Sequence, residues 1–154
     1  MIKTFEDLIG YRFSDESLLS EALTHASIAD RRHDSNERME FLGDAVLGFV
    51  VCEYLYCNFP DLLEGEMTKI KSSVVSENIE LAEQLNLGKG MSDRGELPSS
   101  VNAAALEAII AAVYLDGGMD PARKFILDHF IPLIEQTAES AHQDNYKSML
   151  QQHA

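Results

Sequence analysis

The chain has 154 residues, of which 45% are hydrophobic and 25% are charged, a composition typical of one soluble globular domain. Its 26 acidic and 12 basic residues give a formal net charge of −14. This excess argues against a passive nucleic-acid binder, because phosphate affinity comes mainly from lysine and arginine. It does not exclude an enzyme that meets phosphate through a bound cation, since an ion is often the largest local charge in a site.

The two cysteines, Cys52 and Cys57, fit neither the spacing of a zinc site nor a disulfide framework. Such isolated thiols are typical of a reducing compartment, so we expect a cytoplasmic protein. The first residues lack the basic and apolar regions of a secretory signal. The longest apolar run, VNAAALEAIIAAVYL, contains a glutamate and is too short to span a bilayer, so no membrane attachment is expected.

The spacing of apolar residues predicts helices almost throughout the chain, and no segment shows the sustained alternation of a strand. SDESLLSEALTHAS is predicted to form a helix that Ser14 caps, and DRRHDSN, residues 30–36, a polar break. A long helix is then expected from Glu37 to about Tyr56, because NFPD, with Pro60, is a stop signal.

EGEMTKIKSSVVSENIELAEQLNL predicts one helix, a kink near Ser76 and a second helix that ends at Gly88. GKGMSDRGELPSS is predicted to be a loop, and the next helix to run from residues 98–100 to the DGG at 116–118. DPARKFILDHFIPLIEQTAES predicts a last helix, or a pair of helices broken at Pro132. The predicted fold class is therefore all-α, with about seven helices.

The segment NERMEFLGDAVLGFV, residues 36–50, places three carboxylates in an apolar setting. On a helical wheel Glu37, Glu40 and Asp44 lie within an arc of about 60°. A helix that is apolar around most of its circumference is a buried helix, so we expect this acidic arc in a cleft or against another element. The apolar residues that fill the rest of the wheel are Met39, Leu42, Val46, Leu47, Phe49 and Val50.

Like charges in a confined arc repel, by about 4 kcal/mol for two unit charges 4 Å apart at an effective dielectric constant near 20. Proton uptake, a basic partner or a metal ion would each relieve this repulsion. Arg38 is the one cation within the predicted helix, and it points about 100° away from Glu37. Oxygen-only ligands favour Mg²⁺ or Mn²⁺, whereas a solvated acidic stripe is the alternative interpretation.

The second strongly apolar helix carries one charged residue, Glu107, between Val101 and Leu115. A lone carboxylate in such a helix needs a partner. The many alanines of this helix allow tight packing, and Gly43 and Gly48 permit a neighbour to approach the acidic helix closely. If the two helices cross, Glu107 could complete the ligand set of the ion.

NERMEFLGDAVL, residues 36–47, resembles the signature of the ribonuclease III family nearly letter for letter. The resemblance continues in family order through ALTHAS, EGEMTKIKSSVVS and LEAIIAAVYLDGG, and it covers almost the whole chain. It implies an all-helical, homodimeric bundle like the family's endonuclease domain, at residues 1–144. Residues 145–154 are expected to begin a linker or a double-stranded-RNA-binding domain that is missing here.

The resemblance also implies the activity, an endoribonuclease that cleaves double-stranded RNA with Mg²⁺, for which Mn²⁺ could substitute. The products would carry 5′-phosphate and 3′-hydroxyl ends, in RNA processing that includes ribosomal RNA. Glu40, Asp44 and Glu107 would bind the metal, with Asp44 and Glu107 as catalytic residues. Glu37 and Glu64 match two further acidic positions of the cleavage cleft.

Two more positions follow from the resemblance. Phe41 matches an aromatic residue that inserts into a socket on the partner subunit. Ala104 stands where the family has a metal-binding Asp, one turn before Glu107. An impaired family member that binds or scaffolds RNA as a dimer is therefore an alternative function, and a helical metal-storage or oxidase bundle is a third.

Overall fold

A computed structural model of the chain describes residues 2–77 and 99–152. These two ranges contain six α-helices and a 3-10 turn at Arg32–Asp34, and they contain no strand, which confirms the all-α prediction. The predicted helix that follows Ser76, and the loop after it, lie outside the described residues. No helix in the two ranges is long and apolar enough to cross a membrane. The helices are α1 (Ile2–Ile9), α2 (Glu16–Ala22), α3 (Glu37–Asn58), α4 (Glu64–Ser76), α5 (Ser99–Gly117) and α6 (Met119–Gln152).

The hydrophobic core is built around α5. Every residue from 105 to 113 is buried except Glu107, which is half-buried. The small alanine side chains in this stretch let neighbouring helices come close, and α2, α3 and α6 all pack against α5. The most extensive of these helix–helix contacts is the one between α3 and α5.

The crossing of α3 and α5 depends on Gly43. A Cβ atom at this position would overlap the carbonyl oxygen of Glu107, so the two main chains touch with no side chain between them. Gly48 differs, because the nearest atom to a Cβ there would be Lys71 Cε at 3.5 Å, an ordinary van der Waals contact. The expected close approach is therefore confirmed at Gly43 and is wrong at Gly48.

Helix α2 is shorter than SDESLLSEALTHAS predicts. Asp15, rather than Ser14, caps it, and the Asp15 carboxylate accepts a hydrogen bond from the Ser17 N–H at 3.0 Å. The helix ends at Ala22, whose carbonyl accepts a hydrogen bond from the Asn36 side chain at 3.0 Å. The amide of Asn36 thus takes the place of the next helical turn.

Helix α6 runs through Pro132 without a break, so the predicted break there is wrong. The proline ring removes the hydrogen bond to the carbonyl of Asp128, but both residues are exposed and water can satisfy that carbonyl. A buried stripe on the other side of the helix is anchored in the core both before and after the proline. This stripe consists of Ile126, Phe130, Ile134 and Ala138.

Asp116 ties the end of α5 to the connection between α1 and α2. Its carboxylate accepts hydrogen bonds from the Tyr11 hydroxyl at 2.6 Å and from the backbone N–H groups of Ser14 and Asp15, both at 2.9 Å. Burial alone raises the pKa of Asp116, but these hydrogen bonds outweigh it and the pKa lies below its usual value. Burial, followed by the hydrogen bond and charge of Asp116, raises the pKa of Tyr11 to about 12.

We expect Asp116→Asn to lower the free energy of unfolding at pH 7 by about 2 kcal/mol, because three donors lose a charged acceptor. Since the pKa of Asp116 is depressed by folding, its contribution is present above the unfolded pKa, about 4, and is lost as the pH falls through the folded pKa. Urea denaturation at pH 7 and pH 3 measures both effects. Asp61→Asn, at an exposed residue outside the helices, is the control with little expected effect. A loss in Asp116→Asn that stayed the same at pH 3 would contradict this assignment.

Candidate active site

The three acidic residues of the signature occupy the first turns of α3. Glu37 and Glu40 are half-buried, and Asp44 is exposed. Burial, and then the negative charges of Glu37 and Asp44, raise the pKa of Glu40. The carboxylates are therefore close enough to repel one another, as the helical wheel predicts, and a cation bound beside Glu40 would relieve this repulsion.

Glu107 comes to the same region through the crossing of the two central helices. Its main chain contacts α3 at Gly43, which lies between Glu40 and Asp44 in the chain. The single charged residue in the buried part of α5 is thus placed against the acidic stretch of α3. Ala104 is half-buried one turn before Glu107 on α5, and it supplies no carboxylate.

A basic partner for Glu37 comes from outside the helix, from a residue that the helical wheel of α3 does not include. The Arg32 guanidinium donates from Nε to Glu37 Oε2 at 3.0 Å and from Nη2 to Glu37 Oε1 at 3.1 Å. The hydrogen bonds from Arg32, which outweigh the opposing effect of partial burial, lower the pKa of Glu37, with smaller contributions from the charges of Arg32 and His25. The pairing follows from the 3-10 turn at Arg32–Asp34, which a wheel confined to the helix does not contain.

Two buried polar residues fix the start of α3. Asn36 is 2% exposed, and its backbone N–H donates to the Thr24 carbonyl at 2.8 Å while its side chain donates to Ala22. Ser35 is fully buried, and its hydroxyl donates to the Arg32 carbonyl at 2.7 Å. Because buried polar groups are costly to leave unpaired, the bonds of Asn36 hold the first acidic turn of α3 against the end of α2, and the bond of Ser35 closes the preceding turn.

We expect Glu40→Gln to raise the free energy of unfolding at pH 7 by about 0.5 kcal/mol, because it removes a like-charge pair one turn apart. Since the pKa of Glu40 is raised by folding, its stabilising contribution is present below the unfolded pKa and is lost as the pH rises through the folded pKa. The advantage of the variant should therefore vanish near pH 4. Urea denaturation in metal-free buffer measures it, with the exposed Glu139→Gln as control. A variant less stable than the wild type at pH 7 would contradict the repulsion.

Of the remaining site residues, Glu64 lies on another helix, whereas Phe41 lies on α3 directly after Glu40. Glu64 is exposed at the start of α4, accepts a hydrogen bond from Thr68 at 2.9 Å, and lines a cavity along the second half of α3. Phe41 is 82% exposed. Phe49 is 51% exposed, so the expectation that α3 is buried nearly all round is wrong: only the side that meets the core is covered.

The donor chemistry suits a hard divalent cation, because it consists of carboxylate oxygens from two helices whose main chains meet at Gly43. As the side chains are placed in residues 2–77 and 99–152, no three acidic, histidine or cysteine groups converge closely enough to enclose an ion. The backbone and the residue types therefore fit such a cation, whereas the side chains do not close around one in this conformation.

The chain resembles a known protein family over most of its length. A family model described as Ribonuclease-III-like matches residues 15–134. Ribonuclease 3 of Anaplasma phagocytophilum is 48% identical, over 94% of this chain and 65% of that protein. Ribonuclease 3 of Symbiobacterium thermophilum is 44% identical, over 95% of this chain and 66% of that protein. The chain thus spans just under two thirds of the length of these curated relatives.

Two solved structures of the nuclease domain of ribonuclease III from Campylobacter jejuni are also similar. One, reported for structural flexibility in a region involved in dimer formation, has a TM-score of 0.75 and 37% identity, over 84% of this chain and 99% of that chain. The other has a TM-score of 0.74 and 39% identity, over 87% of this chain and 93% of that chain. Since the sequence signature, the helical fold and the family model agree over most of the chain, the chain belongs to the ribonuclease-III-like family.

Proposed function

We propose that this chain, over residues 1–144, is the nuclease domain of a ribonuclease III-type endoribonuclease that hydrolyses double-stranded RNA. The observation that carries the proposal is the contact of Gly43 with the main chain of Glu107, which brings the Glu107 backbone against the helix that carries Glu40 and Asp44. The relatives named Ribonuclease 3 support the same activity. Products with 5′-phosphate and 3′-hydroxyl ends, a role in RNA processing and a cytoplasmic location belong to this proposal.

Glu40, Asp44 and Glu107 are the residues that would hold a divalent cation, with Mg²⁺ preferred and Mn²⁺ as a substitute. Such an ion, when bound, lowers the pKa of a water and offsets charge on the attacked phosphate and the leaving oxygen. Asp44 is the exposed member and is open to substrate, and a nearby cation would offset the burial and the charges of Glu37 and Asp44 that raise the pKa of Glu40. Ala104 leaves the set one carboxylate short, and water can fill a position in the shell of Mg²⁺.

The substrate would be recognised by shape, because the deep major groove of an RNA duplex hides its base edges. Affinity for the phosphate backbone depends on basic residues, and this chain has a net charge of −14. We therefore expect the chain by itself to bind duplex RNA weakly and with strong dependence on salt.

A homodimer would give Phe41 an apolar environment. Beside the second half of α3 lies a cavity of about 520 Å³, and we propose that it receives Phe41 of the partner subunit. Phe41 is adjacent to Glu40 in the chain, so this docking would place Glu64, on the cavity wall, near the partner's Glu40. Glu64 would then line the cleft across the dimer. The cavity is lined among others by Phe49, Cys52, Tyr56, Glu64, Met67 and Lys71.

Phe41→Ala is expected to convert a dimer into a monomer at micromolar concentration without loss of helical content, because the side chain is exposed within one chain. Size-exclusion chromatography with light scattering measures the mass. Ile28→Ala, at a residue 60% exposed elsewhere on the surface, is the matched control and should remain dimeric. A Phe41→Ala protein with the mass of the wild type would rule out Phe41 as the dimer contact.

Cleavage of a labelled RNA duplex tests the proposed activity directly. We expect the wild-type chain to cut it with Mg²⁺ or Mn²⁺, to fail when the metal is chelated, and to leave ends that accept ligation as 5′-phosphates. A single-stranded RNA of the same sequence is the control and should remain intact. If the duplex is bound but never cut at excess enzyme, the RNA-scaffolding alternative replaces this proposal.

A further inference from the structure

The pair formed by Arg32 and Glu37 is exposed at the start of α3. Both hydrogen bonds run in parallel from the guanidinium to the carboxylate, at 3.0 and 3.1 Å. The Arg32 side chain is 82% exposed and that of Glu37 is 41% exposed. Because solvent-exposed ion pairs contribute little to stability, this pair can be exchanged for another partner at small cost.

The fork of Arg32 suits a phosphodiester as well as a carboxylate. Guanidinium groups bind carboxylate and phosphate oxygens in the same bidentate geometry, and they keep their charge at all relevant pH values. Arg32 is also anchored through its own backbone, since its carbonyl accepts a hydrogen bond from the buried Ser35. A phosphate of bound RNA could therefore take the place of Glu37 without rearrangement of the turn.

Release of Glu37 from Arg32 would leave a second free carboxylate one turn from Glu40. Glu37 lies one turn before Glu40, and its charge already acts on Glu40. The family position that would supply a further carboxylate from α5 is Ala104 in this chain. Compared with the family pattern, α5 therefore lacks one carboxylate. On α3, one carboxylate, that of Glu37, is paired with Arg32.

We propose that Arg32 is a positioning and specificity residue, which exchanges Glu37 for a phosphate of the RNA backbone and so frees Glu37 to join the metal-binding carboxylates. Glu37 would then add one carboxylate to a set that Ala104 leaves one carboxylate short. Metal binding and duplex binding then reinforce each other, because both favour the state in which Arg32 and Glu37 are no longer paired. This inference rests on the proposed nuclease function.

Metal binding without RNA tests the release of Glu37. Isothermal titration with Mn²⁺ should show about fivefold tighter binding to Arg32→Ala than to the wild type, a coupling at the low end of the usual range. Arg31→Ala is the matched control, because Arg31 pairs with Asp34 at 2.9 Å instead of with the acidic stretch, and its affinity should not change. When Glu37 is already replaced, Arg32→Ala should bring no gain, so Arg32→Ala/Glu37→Gln should bind Mn²⁺ no more tightly than Glu37→Gln alone. Tightening that persists in the double variant would show a simple loss of positive charge and would overturn the proposal.

Duplex binding in EDTA tests the phosphate contact. The two proteins compared are Glu37→Gln and Arg32→Ala/Glu37→Gln, because Arg32→Ala alone would leave the Glu37 carboxylate unpaired near the RNA. Loss of one phosphate contact in the double variant should reduce the steepness of log K against log salt concentration by about 1. An unchanged slope would overturn the exchange.

The two proposals fail in different ways. If the wild type binds Mn²⁺ and cuts duplex RNA while Arg32→Ala behaves like the wild type, only the exchange at Arg32 is wrong. If the wild type neither binds Mn²⁺ nor cuts, the proposed nuclease function is wrong and the exchange fails with it.

Discussion

Replacing Gly43 by alanine is expected to lower the free energy of unfolding by about 3 kcal/mol, the upper part of the range for overpacking. The added Cβ would overlap the carbonyl oxygen of Glu107, and a main-chain atom inside a buried helix cannot rotate away as a side chain can. The two central helices would have to separate, with loss of contact along their whole interface. Urea denaturation followed by circular dichroism measures this loss.

Gly48→Ala is the matched control for Gly43→Ala. It makes the same chemical change on the same helix, and a Cβ there would meet only the flexible end of Lys71, at 3.5 Å. Because alanine favours a helix over glycine by about 1 kcal/mol, this variant should be as stable as the wild type or more stable. Equal stability of the two variants would mean that the helices do not meet at Gly43.

Removing a carboxylate from either central helix is expected to abolish most of the cleavage. Asp44→Asn and Glu107→Gln should each lower the single-turnover rate on duplex RNA at least about 100-fold, since even outer-shell changes at metal sites cost 10–100-fold. Asp44 is exposed, so Asn at this position should leave the fold intact. If the two residues act as one unit, the double variant should be little slower than the slower single variant.

The control for these variants is Glu139→Gln, a neutralised carboxylate at an exposed position of α6, which should cut at the wild-type rate. Circular dichroism should confirm that each protein is folded. Retention of more than a tenth of the wild-type rate by Asp44→Asn would remove Asp44 from the catalytic set, whatever the behaviour of Glu107→Gln.

The main features of the fold could be predicted because the sequence patterns are local. The apolar stretch after Asn36 and the stop at Pro60 predicted α3 to within two residues of its observed end, Asn58. The DGG at residues 116–118 likewise marks the end of α5, where Gly118 has a φ of 89°. In both helices the apolar period and the terminal signals agree with each other, so tertiary packing had nothing to override.

The errors arise where three-dimensional neighbours decide. Pro132 interrupts the hydrogen bonding of α6, but the buried residues on either side of it keep the helix continuous. The wheel of α3 could not show that Arg32, from the preceding turn, reaches back to Glu37. Nor could it separate Gly43 from Gly48, since only the crossing point with α5 makes one of them indispensable.

The direct contact between the main chains of α3 and α5 has a consequence for protein engineering. Where side chains separate two helices, every change of their size alters the helix spacing, but here the spacing is set by backbone atoms. Substitutions elsewhere in the interior, such as those that fill voids or exchange aliphatic residues, should therefore leave the separation of the two acidic segments almost unchanged. We therefore expect that such repacking can raise thermostability without moving the proposed metal-binding residues apart.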